Sequence, residues 1–184
     1  AGDEKEETPA ETETPAAPKF TDVPATSPFA KAIDWAVAEG ITTGKTETTF
    51  GPSDTCTVSH ILTFLWRANG KPGAKEGVKD RDAALEWFEK EIVDNHGEPD
   101  AACTRSMAML YIWQAAGNPE TEAKVSFTDV TDGGEYGLQP IAWAVEKGIT
   151  SGTGDGTTFS PDTPCTRGQI VTFLYRANQA EAAE

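Results

Sequence analysis

This chain repeats itself, and the repeat constrains its fold more than any other feature. A stretch of about fifty residues occurs twice with little change and a third time in worn form. Phe20-Thr21-Asp22-Val23, Ile33 and Trp35, Gly40 to Gly44, Phe50-Gly51-Pro52 and Cys56-Thr57 return as Phe127-Thr128-Asp129-Val130, Ile141 and Trp143, Gly148 to Gly152, Phe159-Ser160-Pro161 and Cys165-Thr166. The register hardly drifts: Phe127 lies 107 residues after Phe20, and Cys165 lies 109 after Cys56. A unit this short cannot bury its own apolar face, so neighbouring copies are expected to complete one another's core.

Each copy reads as helix, loop, helix. In copy 1, Phe29, Ile33, Ala36 and Val37 fall on one face of a helix that ends at Gly40. A glycine-punctuated loop follows, in which the isolated Phe50 is expected to plug the core. Thr57 then caps a second helix carrying Ile61, Leu62, Phe64, Leu65 and Trp66. Being apolar on more than one side, this helix belongs near the middle of the assembly. Copy 3 repeats every step, with Gln169 completing a capping box on Thr166. Copy 2 keeps Trp87-Phe88 and Cys103-Thr104-Arg105 but replaces the Gly-x-Phe-x-Pro loop by Asn95 to Asp100. The expected fold is all-α: three helix pairs around a shared centre, with copies at 20–70, 71–118 and 119–178. Residues 1–19, acidic and broken by proline, read as a disordered linker, and 179–184 as a short tail.

Composition narrows the partners. With 15 Lys and Arg against 30 Asp and Glu, the net charge is −15, which disfavours nucleic acid. No apolar run approaches the roughly 20 residues of a membrane span, and no signal segment opens the chain. If the protein is exported, its leader has been removed or lies outside this sequence. Three cysteines are too few for a disulfide-built fold.

The ordered motifs Phe-x-Asp-Val, Ala-Ile, Gly-Ile-x-x-Gly, Phe-x-Pro and a helix opened by Thr-Arg resemble the S-layer homology module. The resemblance covers Phe20 to about Asn178, clearly in copies 1 and 3 and moderately in copy 2. It implies a pseudo-threefold trimer of modules with a central helical bundle. It also implies non-covalent anchoring of a bacterial surface protein, at the cell surface, on an anionic secondary cell-wall polysaccharide that commonly carries pyruvate. The grooves between modules are implied as the sites. Here the matching residues are Arg105 and Arg167 after Thr104 and Thr166, with loop glycines Gly44 and Gly152. Copy 1 has Thr57-Val58-Ser59-His60 and so no arginine, and the family's glutamate is replaced by His60, Met107 and Gln169. At most two working grooves are expected.

A chemical reason stands beside the resemblance. The first turn of a helix offers unpaired backbone N–H groups and the positive end of its dipole, and an arginine beside the cap adds a charge-assisted contact. Thr57, Thr104 and Thr166 are expected to shape those sites. Alanine at Arg105 and Arg167 is expected to abolish polymer binding and leave the helices intact. Trp35 and Trp143 either stack on a sugar ring or wedge one helix pair against the next, the second use being the commoner one for aromatics.

Other motifs carry less. Cys56, Cys103 and Cys165 sit directly before each capping threonine. They read as small buried hydrophobes and not as a metal site, since no histidine recurs with them. Gly40 to Thr46 imitates a phosphate-binding loop but is one residue short and follows a helix. Asp155 alone cannot supply a calcium loop. His60 and His96 join no nucleophile or carboxylate in a recurring constellation, so neither catalysis nor a cofactor is expected. The alternative to glycan anchoring is an assembly module in which the grooves have decayed and the body packs on another surface-layer protein. A wall-processing enzyme is a weaker third reading.

Overall fold

The structure, a computed structural model, describes residues 19–132 and 134–183. The expected linker at 1–19 therefore lies, apart from Lys19, outside the described residues. Among those described there are six α-helices, one 3-10 turn at Gly134–Tyr136 and only isolated β-bridges, so the chain is all-α as the periodicity implied. The helices are α1 (Ala30–Ala38), α2 (Val58–Ala68), α3 (Asp80–Glu91), α4 (Arg105–Ala115), α5 (Gln139–Glu146) and α6 (Arg167–Glu181). Helix α6 runs three residues into the stretch 179–184 read as a tail.

Each copy supplies one outer helix (α1, α3, α5) and one inner helix (α2, α4, α6). The inner three touch pairwise, because they carry apolar residues on more than one side: Ile61, Leu62 and Leu65 on α2, Met109 and Ile112 on α4, Ile170, Val171 and Leu174 on α6 are all buried. The outer helices do not fold back on their own copy. Helix α3 packs on α2, α5 on α4, and α1 on α6. Copies are thus joined by handing an outer helix to the inner helix of another copy. The helix pairs therefore form between copies and not within one. The loop between outer and inner helix is long, and its buried phenylalanine, Phe50 or Phe159, commits it to the core.

The three cysteines mark the centre. Backbone N–H groups of Cys56, Cys103 and Cys165 donate to the carbonyls of Cys165, Cys56 and Cys103 respectively, each at 2.8 Å, closing a ring of three bonds. That is the connectivity three units round a threefold axis would share. All three thiols are free and fully buried. Burial pushes Cys56 up to about 12 and Cys165 up to about 11, and raises Cys103 further still. They remain protonated at neutral pH and act as packing atoms. Among the described residues no cluster of His, Cys, Asp or Glu could hold a metal ion.

Candidate functional site

The site is assembled from the motif Phe-x-Asp-Val upward. The carboxylate of Asp22 accepts the backbone N–H groups of Phe50 (2.9 Å) and Gly51 (2.7 Å), and Asp129 does the same for Phe159 and Ser160, both at 2.8 Å. Desolvation would raise both carboxyls, but the backbone bonds together outweigh it and hold them below the usual carboxylate value. With the loop held this way, the carbonyls of Phe50 and Phe159 accept Nε of Arg167 (3.0 Å) and Arg105 (2.6 Å). Each guanidinium lies between two rings. Arg167 is 4.8 Å from the Phe50 centroid and 5.4 Å from Phe64; Arg105 is 4.8 Å from Phe159 and 5.5 Å from Phe173.

Both arginines are therefore buried, at 7% and 5% exposure. Burial lowers each from its ordinary value, though an arginine stays charged at neutral pH. Each thus carries packing and a carbonyl contact within the body as well as a charge. Each also crosses between copies: Arg167 of copy 3 reads the loop of copy 1, and Arg105 of copy 2 reads the loop of copy 3. The third pairing would join copy 1 to copy 2, where Val58 stands in the arginine's place. Copy 2's loop is the one that lacks the phenylalanine. At this pairing both the arginine and the loop phenylalanine are absent, and the cross-copy backbone bonds of Val58 and Ser59 to Ala101 and Pro99 are present without them.

A groove of about 310 Å³ opens beside Arg167, bounded by Gly44, Thr57, His60, Arg67, Arg81 and Asp100 among others. It is the most cationic cleft described. Arg67 bonds Asp80 (2.8 Å) and the Ile41 carbonyl (3.0 Å), and Arg81 pairs with Asp100 (2.9 Å). Among the described hydrogen bonds Arg167 uses only Nε, which leaves its two terminal nitrogens as donors beside the groove. Arg105 spends one of its own on Thr150 (3.5 Å), whose hydroxyl also accepts the Gly152 N–H (3.2 Å).

A second cleft, of about 320 Å³, lies at Thr104 and is lined by Asp129, Asp132, Glu135 and Asp162. Four carboxylates repel an anion, so the two clefts differ in sign although both begin at a capping threonine.

The helix N-termini do not supply free amides. The first two N–H groups of α2 bond Ala101 and Pro99 carbonyls, those of α4 bond Thr163 and Pro161, and those of α6 bond Asp54 and Pro52. The third goes to the threonine hydroxyl in each case. The helix-dipole reading of anion binding is thus overturned: neighbouring loops have already satisfied the donors, and the arginine side chain is what remains. Of the sequence-predicted residues, Gly44, Thr57 and Arg167 come together in one groove. Arg105 and Gly152 meet through Thr150, Thr104 faces the acidic cleft, and Thr166 caps α6. Trp35 and Trp143 line a cavity at the other end of the inner helices.

Sequence reading missed Asp22, Asp129, Arg67 and Arg81. The first two carried a signal, since an aspartate recurs at the same place in both copies; Arg81 carried none. It also missed that His60 makes a capping box. Its Nδ1 accepts the Thr57 N–H (3.2 Å), as Oε1 of Gln169 accepts that of Thr166 (3.0 Å). Burial, then Arg167 and Arg81, hold His60 below its ordinary value. Because it protonates more readily unfolded than folded, its contribution is complete above the unfolded value of about 6.5 and is lost as pH falls below it. His60→Gln, copying the residue of copy 3, should keep the cap and flatten the loss of urea stability between about pH 7 and about pH 5.

The sequence profile of the S-layer homology domain matches residues 19–57 and 126–171. No curated protein matches the chain significantly. S-layer homology domains are known to anchor surface proteins to the cell wall. Among the described residues no helix is long and apolar enough to cross a membrane.

Proposed function

Since the chain carries S-layer homology domains at residues 19–57 and 126–171, we propose that it holds a surface protein on an anionic cell-wall polysaccharide, and that the acidic group of that polymer enters the groove beside Arg167. The observation that carries this reading is the pair of terminal nitrogens on a buried guanidinium, aligned by two aromatic rings and a carbonyl and left without further hydrogen bonds among the described residues. A guanidinium held this way has already paid the entropy of ordering, so a carboxylate or phosphate meets a preset fork. Arg81 and Arg67 line the same groove but are paired with Asp100 and Asp80, so the unpaired charge there is that of Arg167.

The net charge of −15 does not defeat this. Screening over roughly 8 Å at physiological ionic strength leaves the local cations in control. Arg105, with one terminal nitrogen turned to Thr150, is a second and weaker site. The three copies at 20–70, 71–118 and 119–178 act as one body, because every outer helix belongs to a neighbour's inner helix.

The chain should sediment with purified wall polymer, with binding that weakens as salt rises. Reducing the polymer's carboxyl groups to alcohols, or removing phosphate where that is the acidic group, should abolish it. Equal sedimentation with the neutralised polymer would refute the assignment. The acid-lined cleft at Thr104 and the worn loop of copy 2 favour a second reading, an assembly module that packs on another surface protein. Retention by intact surface-layer protein and not by polymer would select it. We assign no catalytic role, cofactor or metal.

A further inference from the structure

The inner helices end at a second opening that the anchoring reading does not use. A cavity of about 140 Å³ lies among the C-terminal turns of α2, α4 and α6, walled by Trp35 and Trp143 and edged by Glu39, Asn69, Asn178 and Glu181. A neighbouring lobe, also about 140 Å³, shares Trp143 and Glu181 and reaches Lys147. Trp143 thus borders both. It is 6% exposed, and its indole N–H is buried with no hydrogen-bond partner.

That orphan stands out against the buried indole of Trp66 and the half-buried one of Trp113. Trp66 donates to the Pro72 carbonyl at 2.9 Å and Trp113 to the Pro119 carbonyl at 2.8 Å, each just past its own helix. A buried donor without an acceptor is destabilising, and a guest supplying an acceptor would remove that penalty.

The surroundings say what kind of guest. Three helix C-termini converge here with their partial negative charge, and two carboxylates stand at the rim, so an anion is rejected. An ammonium ion would suit the carboxylates but would leave the indole N–H unmatched, having nothing to accept with. A hydroxyl both accepts and donates. Aromatic walls prefer a flat apolar face between hydroxylated edges. The volume, well below the roughly 300 Å³ of a drug-sized pocket, limits the guest to about one ring.

We propose that this cavity is a binding site for one neutral pyranose residue, whose C–H face lies on Trp143 or Trp35 and whose hydroxyl accepts the Trp143 indole N–H. Glu181, Glu39 and the Asn69 and Asn178 amides take the remaining hydroxyls. Helix α2, at 11 residues, is about 16 Å long, so the site is spatially separate from the Arg167 groove and reads a different, uncharged part of a glycan.

In ¹⁵N-labelled protein the five tryptophans each contribute one indole N–H signal, and Trp143→Phe identifies the one that belongs here. Titration with the methyl glycosides of glucose, galactose, mannose and N-acetylglucosamine should shift that signal saturably for at least one of them, at millimolar affinity. Glycerol and methyl glucuronide should leave it in place. Glu181→Gln, on an exposed position, should weaken the response several-fold with the spectrum otherwise native, which covers the case in which Trp143→Phe perturbs the fold. Arg167→Met should not change it, so the outcome is independent of the anionic groove. Failure of all four sugars, or an equal response to glycerol, would overturn the proposal.

Discussion

Gly152→Ala should destabilise the chain by about 3 kcal/mol, lowering the melting temperature by about 6–12 °C. Gly152 has φ of +92°, where an L side chain is strained, and a Cβ there would lie 2.5 Å from the Thr158 carbonyl and 2.6 Å from the Phe127 ring. Neither neighbour can withdraw: one is backbone, and the other is the buried phenylalanine of Phe-x-Asp-Val. Gly44 repeats the situation in copy 1, with Phe20 at 2.5 Å and the Thr46 carbonyl at 2.6 Å. Gly148 is the control, because its φ of +69° is equally left-handed but nothing lies within 4 Å of the added carbon. Gly148→Ala should therefore cost only about 1 kcal/mol. Thermal melts of the two variants decide the matter, and equal losses would show that close approach, the reason given for Gly152, is not the operative one.

Arg167 combines two effects that a single alanine variant would confuse. Arg167→Ala removes the Nε–H bond to the Phe50 carbonyl, opens the space between Phe50 and Phe64, and removes the groove's principal charge. Its stability cost should be about 2–4 kcal/mol. Arg167→Met keeps the apolar stem between the rings and deletes the charge. It should therefore retain more stability yet lose at least about 30-fold in polymer binding, the effect of removing a hydrogen-bonded charge from a buried pair. Arg105→Met should lose stability to a similar extent and binding to a smaller one, since Thr150 already occupies a terminal nitrogen of that guanidinium. Wall-polymer binding of Arg167→Met at the parent level, with the fold intact by circular dichroism, would remove Arg167 from the site.

The arginine shows how far sequence reading reached and where it stopped. Thr-Arg after a cysteine marked Arg105 and Arg167 as the residues to watch, and the structure places both against the predicted glycine loops. What the linear pattern suggested about the chemistry was wrong in one respect. It left the helix N-terminal amides free, whereas carbonyls at 52 and 54, 99 and 101, and 161 and 163 have taken them. Those acceptors come from another copy in every case, so no local rule of capping could have found them. Arg81 lies outside any recurring motif and enters the groove only because α3 packs on α2.

His60 and Trp143 make the same point from opposite sides. At His60 a substitution that breaks the family pattern proves structurally conservative, because an imidazole acceptor can do what the Gln169 amide does in copy 3. Trp143, two positions from Ile141, faces away from its helix's apolar stripe and was expected at a groove or a wedge. It is 6% exposed and belongs to the shared core, and its orphan donor has no signature in sequence at all.

The helices, the threonine caps, the buried loop phenylalanines and the reuse of one unit were all readable residue by residue, because periodicity, capping and turn chemistry act over a few positions and are written where they act. Which outer helix serves which inner helix, which loop closes which helix start, and which of two capping-threonine clefts is cationic emerged with the packed body. Those outcomes depend on partners from about 20 to about 140 positions away, and the free energy that selects them comes from burying surfaces that different copies supply.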